Sequence, residues 1–271
     1  MTVPRALCDD LEAECLELDA WVSTLPDADW ETQTGFFAWT TRDQILHLNQ
    51  IDRFGLASFD GPEVFAAAKA SARAGQAKGK EFSEQARDAA RGMSRSDVME
   101  AWRDGYRKLL ARFRAADAKD RISWFGPDMS VVSFAAARQM EAWAHGQDIY
   151  DMKAAPRPLH DRISNICDLG MRTFGWSFAN RGLPVPEAPS LSLTLPSGVP
   201  FARAGAGNGS VQGTAIDFAL VVTQRRPVEE TSLVATGAGL DWLPIAQCFA
   251  GPPQARAEPG ERPPFQGFVA G

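Results

Sequence analysis

Glu141 and His145 stand four residues apart in the run Arg138-Gln-Met-Glu-Ala-Trp-Ala-His-Gly-Gln-Asp148, a spacing that stacks them on one face of an α-helix. Arg138 and Asp148, three residues to either side, extend the same stripe. His47, one of only three histidines in the chain, sits in Thr41-Arg-Asp-Gln-Ile-Leu-His-Leu48, which has the pattern of a second amphipathic helix. If the two helices pack side by side, two neutral imidazoles and one carboxylate converge on a divalent cation. Three protein ligands leave coordination positions open, which is the arrangement of a reactive metal site rather than a structural one.

Each residue also has a plainer reading. A lone helical histidine is commonly a hydrogen-bonded core or surface residue, and a Glu/His pair at i, i+4 can be a surface contact worth a few tenths of a kcal/mol. The set is stronger than its members, because both histidines lie beside apolar stripes where an unpaired imidazole is costly. The site is not a zincin, since no HExxH occurs. His160 reads as a helix-start or surface residue. Gly205–Ser210 lacks the following GK[ST] of a phosphate loop and reads as a hairpin turn.

The elements that must position these residues follow from periodicity and punctuation. A first helix is expected over residues 3–25, stopped by Pro26, and then a loop bearing Trp30, Phe36, Phe37 and Trp39. Those aromatics either plug the end of a bundle or line a pocket. The second helix opens at Thr40 or Thr41, with Thr41-x-x-Gln44 as the preferred capping box and Thr40-x-x-Asp43 as the weaker one. Residues 61–92, rich in alanine and lysine, form a half-exposed helical excursion. Ser94-x-x-Asp97 caps the third bundle helix, with Val98, Trp102, Leu109 and Phe113 inward. Ser130 or Ser133 opens the fourth, which carries Glu141 and His145, and a fifth spans about 159–181. Composition changes at Leu183-Pro-Val-Pro-Glu-Ala-Pro189, where a domain boundary is expected: 1–182 helical, 183–271 small α+β. Strands are expected at 191–195 and 233–236, helices at 214–222 and 241–250, and a loosely held Pro/Gly-rich tail at the end.

Composition limits the partners. The 271 residues carry a net charge of −6 and show no basic patch, which argues against nucleic acid. No apolar run approaches membrane-spanning length, and the first residues lack the order of a signal peptide, so a cytoplasmic location is expected. The four cysteines show no CxxC spacing and read as buried apolar residues. Oligomeric state is not legible.

Trp39-Thr-x-Arg-Asp-x-x-x-His47-Leu, followed by Arg138-x-x-Glu141-x-x-x-His145-x-x-Asp148, resembles the DinB-like metal-binding bundle. More narrowly, residues 5–180 or so resemble the N-terminal domain of mycothiol-dependent maleylpyruvate isomerases. The resemblance implies a mainly α protein: an up-down four-helix bundle holding a divalent metal, commonly zinc, through His47, Glu141 and His145. Residues 213–250 loosely resemble the sterol-carrier-like domain that accompanies such bundles. The alanine-rich insert at 61–92 departs from the family pattern.

The expected function is that of a metal-dependent transferase or isomerase using a low-molecular-weight thiol on a small electrophilic substrate. Nickel, iron and manganese suit the same donors as zinc. Asp148, one turn beyond His145, and Asp43, one turn before His47, are the carboxylates placed to orient the imidazoles or accept a proton. Arg138 and Arg225 are the candidate cofactor-binding cations. Two rivals follow from the same residues: a binding protein for a metal and an apolar ligand, without chemistry, and a metal-dependent hydrolase.

Overall fold

The structure is a computed structural model that describes residues 3–126, 128–253, 258–262 and 268–270. The chain divides into two compact units, Met1–Ile149 and Tyr150–Gly271. The boundary expected at the proline-rich link therefore falls inside the second unit. The fifth helix, expected over about 159–181 within the first domain, lies instead in the second unit.

In the first unit, α1 (Arg5–Thr24) buries Leu7, Leu11, Cys15, Leu18 and Val22 at helical spacing and stops before Pro26. A single turn, α2 (Asp27–Trp30), leads to α3 (Thr41–Asp60). The excursion is α4 (Pro62–Gln76) and α5 (Phe82–Ala89), separated at Gly79, where φ is +79°. Ser94 and Asp97 form the expected capping box of α6 (Arg95–Ala115), which buries Val98, Trp102, Leu109 and Phe113. A two-residue antiparallel pair, β1 (Arg121–Ile122) with β2 (Met129–Ser130), precedes α7 (Val131–Met152), whose last residues belong to the second unit. Ser130 Oγ accepts from Ser133 N at the start of α7, at 3.1 Å.

Helices α1, α3, α6 and α7 form the bundle. All four line a small internal cavity of about 10 Å³ between Cys15, Asp52, Tyr106 and Arg138. Asp52 Oδ2, Tyr106 OH and Arg138 Nη1 are buried there without a hydrogen-bond partner among the described residues. At its far end, α3 packs on α7 by omitting a side chain. A Cβ on Gly55 would lie 2.7 Å from Phe134 Cε1.

The second unit holds a four-stranded sheet in the order β5-β4-β6-β7, from β4 (Ser190–Thr194), β5 (Pro200–Arg203), β6 (Ser210–Thr214) and β7 (Val234–Thr236). The β4–β6 pair is parallel and the other two are antiparallel. The glycine-rich stretch therefore carries the chain past β4 and is not a hairpin turn. A Cβ at Gly205 would meet Ala188 O at 2.2 Å, so the glycines permit close backbone packing. Thr214 caps α10 (Ala215–Val222), as its spacing with Asp217 requires.

The expected fifth helix is split into α8 (Ser164–Arg172) and α9 (Phe174–Ala179). At the break, the Thr173 hydroxyl turns back to the carbonyls of Leu169 and Gly170. The helix expected over 241–250 is also shorter. Regular turns run over α11 (Ala238–Trp242) and a 3₁₀ turn at Leu243–Ile245, because Pro244 cannot continue the ladder. From the tail, β8 (Phe268–Ala270) pairs in parallel with β3 (Arg157–Leu159), while residues 254–257, 263–267 and 271 lie outside the described residues. No described helix is long and apolar enough to cross a membrane.

Candidate metal centre

Two helices and one loop build the site. Thr40 caps α3: its hydroxyl accepts from Asp43 N at 3.2 Å and its own N–H donates to Asp43 Oδ2 at 3.0 Å. The box expected from Thr41 and Gln44 is not the one formed. Thr41 instead donates to Asp29 O, and Gln44, freed from capping, turns into the bundle. Asp43 is spent on the cap and on an ion pair with Arg87 at 3.3 Å, so it does not orient His47. His47 Nδ1 is buried and has no hydrogen-bond partner among the described residues.

His47, Glu141 and His145 come together as expected, with one ligand atom from each within 4.8 Å of the others. Glu141 Oε2 lies 3.1 Å from His145 Nε2 and 3.5 Å from His47 Nε2. The two imidazole centroids are 4.7 Å apart. His145 is buried, whereas His47 and Glu141 keep 17% and 23% of their side chains exposed, which leaves the carboxylate side of the cluster within reach of solvent. Burial works to raise the Glu141 pKa, but hydrogen bonds and charge from His145 and His47 outweigh it and hold the carboxyl well below its usual range. An ionised carboxylate beside two imidazole nitrogens is a donor set that could hold a divalent cation.

The far nitrogen of His145 is held from behind. Its Nδ1 meets Gln44 Oε1 in a short hydrogen bond and lies 3.7 Å from Asp148 Oδ2. Asp148 is fully buried and so cannot meet a substrate. At 3.7 Å it acts on the His145 ring by charge and not through a hydrogen bond from Nδ1.

Above the imidazoles lies the loop between α2 and α3. The Trp39 ring stacks on His145 at 5.9 Å and 9° and tilts over His47 at 5.1 Å, and Phe36 meets His145 edge-on at 5.3 Å. The loop is pinned by Thr34 N donating to Trp39 O at 2.7 Å. Two consecutive left-handed residues, Phe37 (φ 48°) and Ala38 (φ 54°), hold the Phe37 ring outward and 64% exposed. Such backbone costs of order 1–3 kcal/mol per residue and is concentrated at ligand clamps and functional loops.

The two candidate cofactor-binding arginines are otherwise engaged. Arg138 is buried, with Nε on Asp52 Oδ1 at 2.9 Å and Nη2 on Leu48 O at 3.2 Å. Arg225 belongs to the second unit, is 3% exposed and donates to Thr223 O at 2.9 Å. Its neighbour Arg226 pairs with Asp151 through both Nη atoms. These guanidiniums hold the fold, because a buried cation must find its acceptors inside the protein. Gln44 and Thr34 were missed by sequence reasoning. The one available signal was the choice between overlapping capping boxes, which decides whether Gln44 faces the helix end or the core.

The model of the mycothiol maleylpyruvate isomerase N-terminal domain matches residues 11–150. Two uncharacterized Mycobacterium tuberculosis proteins, from the CDC 1551 and H37Rv strains, are each 36% identical to this chain over 256 residues. In each case 93% of this chain and 98% of the relative are covered. Among solved structures, a mutant of the mycothiol-dependent maleylpyruvate isomerase matches with a TM-score of 0.54 at 12% identity. Another crystal structure of that isomerase matches with a TM-score of 0.50 at 14% identity. Both alignments cover 85% of this chain and 92% of the other, and at such identities they show the fold. The family match covers more than half of the chain, and the fold agrees with it: the chain belongs to the mycothiol maleylpyruvate isomerase N-terminal domain family.

Proposed function

We propose that this chain is an enzyme dependent on a divalent metal and a low-molecular-weight thiol, acting on a small electrophilic substrate as an isomerase or S-transferase. The observation that carries the reading is the convergence of His47, Glu141 and His145 on one point that solvent can reach. Two Nε2 atoms and a carboxylate oxygen suit zinc, and nickel, iron or manganese also fit those donors. When bound, such a cation lowers the pKa of a coordinated thiol, so that sulfur is a thiolate at neutral pH. The solved neighbours are mycothiol-dependent, which makes mycothiol the first thiol to test.

The chain's own residues supply the rest. Glu141 and the two imidazoles would hold the cation, Gln44 steadies His145, and Trp39 and Phe36 cover the imidazoles with apolar surface. Phe37 adds an exposed ring on the same loop for the body of a substrate. The test is elemental analysis of purified protein, with about one divalent metal per chain expected and its loss in His47→Ala, Glu141→Ala and His145→Ala. Cobalt-substituted protein should then gain an intense charge-transfer band when mycothiol is added. Unchanged metal content in all three variants, or a cobalt spectrum indifferent to thiols, would refute the reading.

A further inference from the structure

We propose that Gln44 is a positioning residue for this centre: together with Thr34 it keeps a proton on His145 Nδ1, the tautomer that leaves Nε2, on the side of Glu141 and His47, to a cation. The consequence for a metal rests on the function proposed above, whereas the tautomer assignment stands on the hydrogen bonds alone.

The direction of each bond follows from the one before it. Trp39 O can only accept, and it lies 2.8 Å from Thr34 Oγ1, so the Thr34 hydroxyl spends its single proton there. Thr34 Oγ1 is then an acceptor toward its other partners, Gln44 Nε2 at 3.0 Å and Phe36 N at 3.3 Å. With its NH₂ turned to Thr34, the Gln44 amide presents Oε1 to His145 Nδ1. An amide oxygen has no proton to give, so Nδ1 must carry one. A neutral imidazole carries only one, so Nε2, 3.1 Å from Glu141 Oε2, is the nitrogen left for a cation. With no cation there, Nε2 bonds the carboxylate only by taking up a second proton. Asp148, 3.7 Å from Nδ1, lies beyond hydrogen-bond reach and favours the same proton by charge.

Reversing the amide would take the Thr34 hydroxyl away from Trp39 O and set a donor against Nδ1. Gln44 is fully buried and Thr34 is 5% exposed, so water does not make good the loss. The loop that stacks Trp39 on His145 therefore also sets, through two side chains, which ring nitrogen is free to bind a cation.

Two measurements on the full-length protein test this. With only three histidines in the chain, ¹⁵N-labelled imidazoles can be assigned in long-range ¹H–¹⁵N spectra. In metal-free wild type His145 should carry a proton on Nδ1, with or without a second on Nε2. The proton should stay there in Asp148→Asn and lose that preference in Gln44→Leu and Thr34→Val. Zinc affinity, read by competition with a chromophoric chelator, should fall about 10–100-fold in Gln44→Leu. Gln44→Glu, which keeps an acceptor facing Nδ1, should retain binding. An Nδ1 without a proton in the wild-type spectrum overturns the inference, as does a folded Gln44→Leu protein that binds zinc as tightly as wild type. If wild type binds no zinc, the metal reading alone fails, and the Nδ1 proton still decides the role of Gln44.

Discussion

Replacing Arg138 by methionine separates a structural arginine from a cofactor-binding one. The guanidinium and its partner Asp52 are each 4% exposed. Their 2.9 Å contact joins α3 to α7, and a second bond runs from Arg138 to Leu48 O. Methionine keeps much of the apolar stem but leaves a buried carboxylate unpaired, a loss of about 3–5 kcal/mol. For a folding unit of this size each kcal/mol shifts the melting temperature by about 2–4 °C, so a drop of roughly 6–20 °C is expected in metal-free protein.

The loss should also carry a pH signature. Burial already pushes the Asp52 pKa above the usual carboxylate range, with Arg138 opposing it, so removing the arginine raises it further. A folded-state pKa above the unfolded one means that the folded variant binds more protons. Its deficit is therefore largest at neutral pH and shrinks as pH falls toward about 4, by up to about 1.4 kcal/mol per pH unit. The double variant Asp52→Leu/Arg138→Met removes both charges and should recover most of the stability. Differential scanning calorimetry in chelator between pH 4.5 and 7.5 reads all three proteins. A pH-independent deficit, or an Arg138→Met protein that melts with wild type while losing thiol binding, would refute the reasoning and return Arg138 to the cofactor.

Three further outcomes follow from the packing. A crystal structure should show one ordered water bonded to Asp52 Oδ2, Tyr106 OH and Arg138 Nη1, since those three unpartnered atoms share a cavity of about 10 Å³; a direct bond among them with no water would disprove it. Gly55→Ala should destabilise by about 1–3 kcal/mol in denaturant titrations despite alanine's better helix propensity, because the Phe134 ring it strikes is held by Phe113 and Trp124. All four cysteines are buried and burial pushes the Cys15 and Cys167 thiols up, so native protein should resist alkylation at pH 8 until unfolded; rapid labelling of either would contradict the structure.

The cluster of His47, Glu141 and His145 was legible in the sequence because most of its geometry is local. Glu141 and His145 share a face at i, i+4 whatever surrounds them, and the apolar stripe beside His47 shows which side of α3 turns inward. Caps at Ser94 and Thr214 were legible for the same reason: a side chain three residues from its own helix start needs no tertiary partner. The roles of the second rank were decided elsewhere. Thr40 and Thr41 offer overlapping capping boxes, and the bond from Thr41 to Asp29 O helps select the one that is weaker by sequence pattern. That choice consumed Asp43 and released Gln44 to His145. Arg138 and Arg225 are cations with equal claim on a ligand or on the fold. Only burial against Asp52 and the Thr223 carbonyl shows which claim was met. The division of the chain likewise followed packing rather than composition. Prolines at 184–189 mark a stiff segment, but compactness is set by which helices bury their apolar faces together, and α8 buries Cys167 and Gly170 against α10 of the second unit.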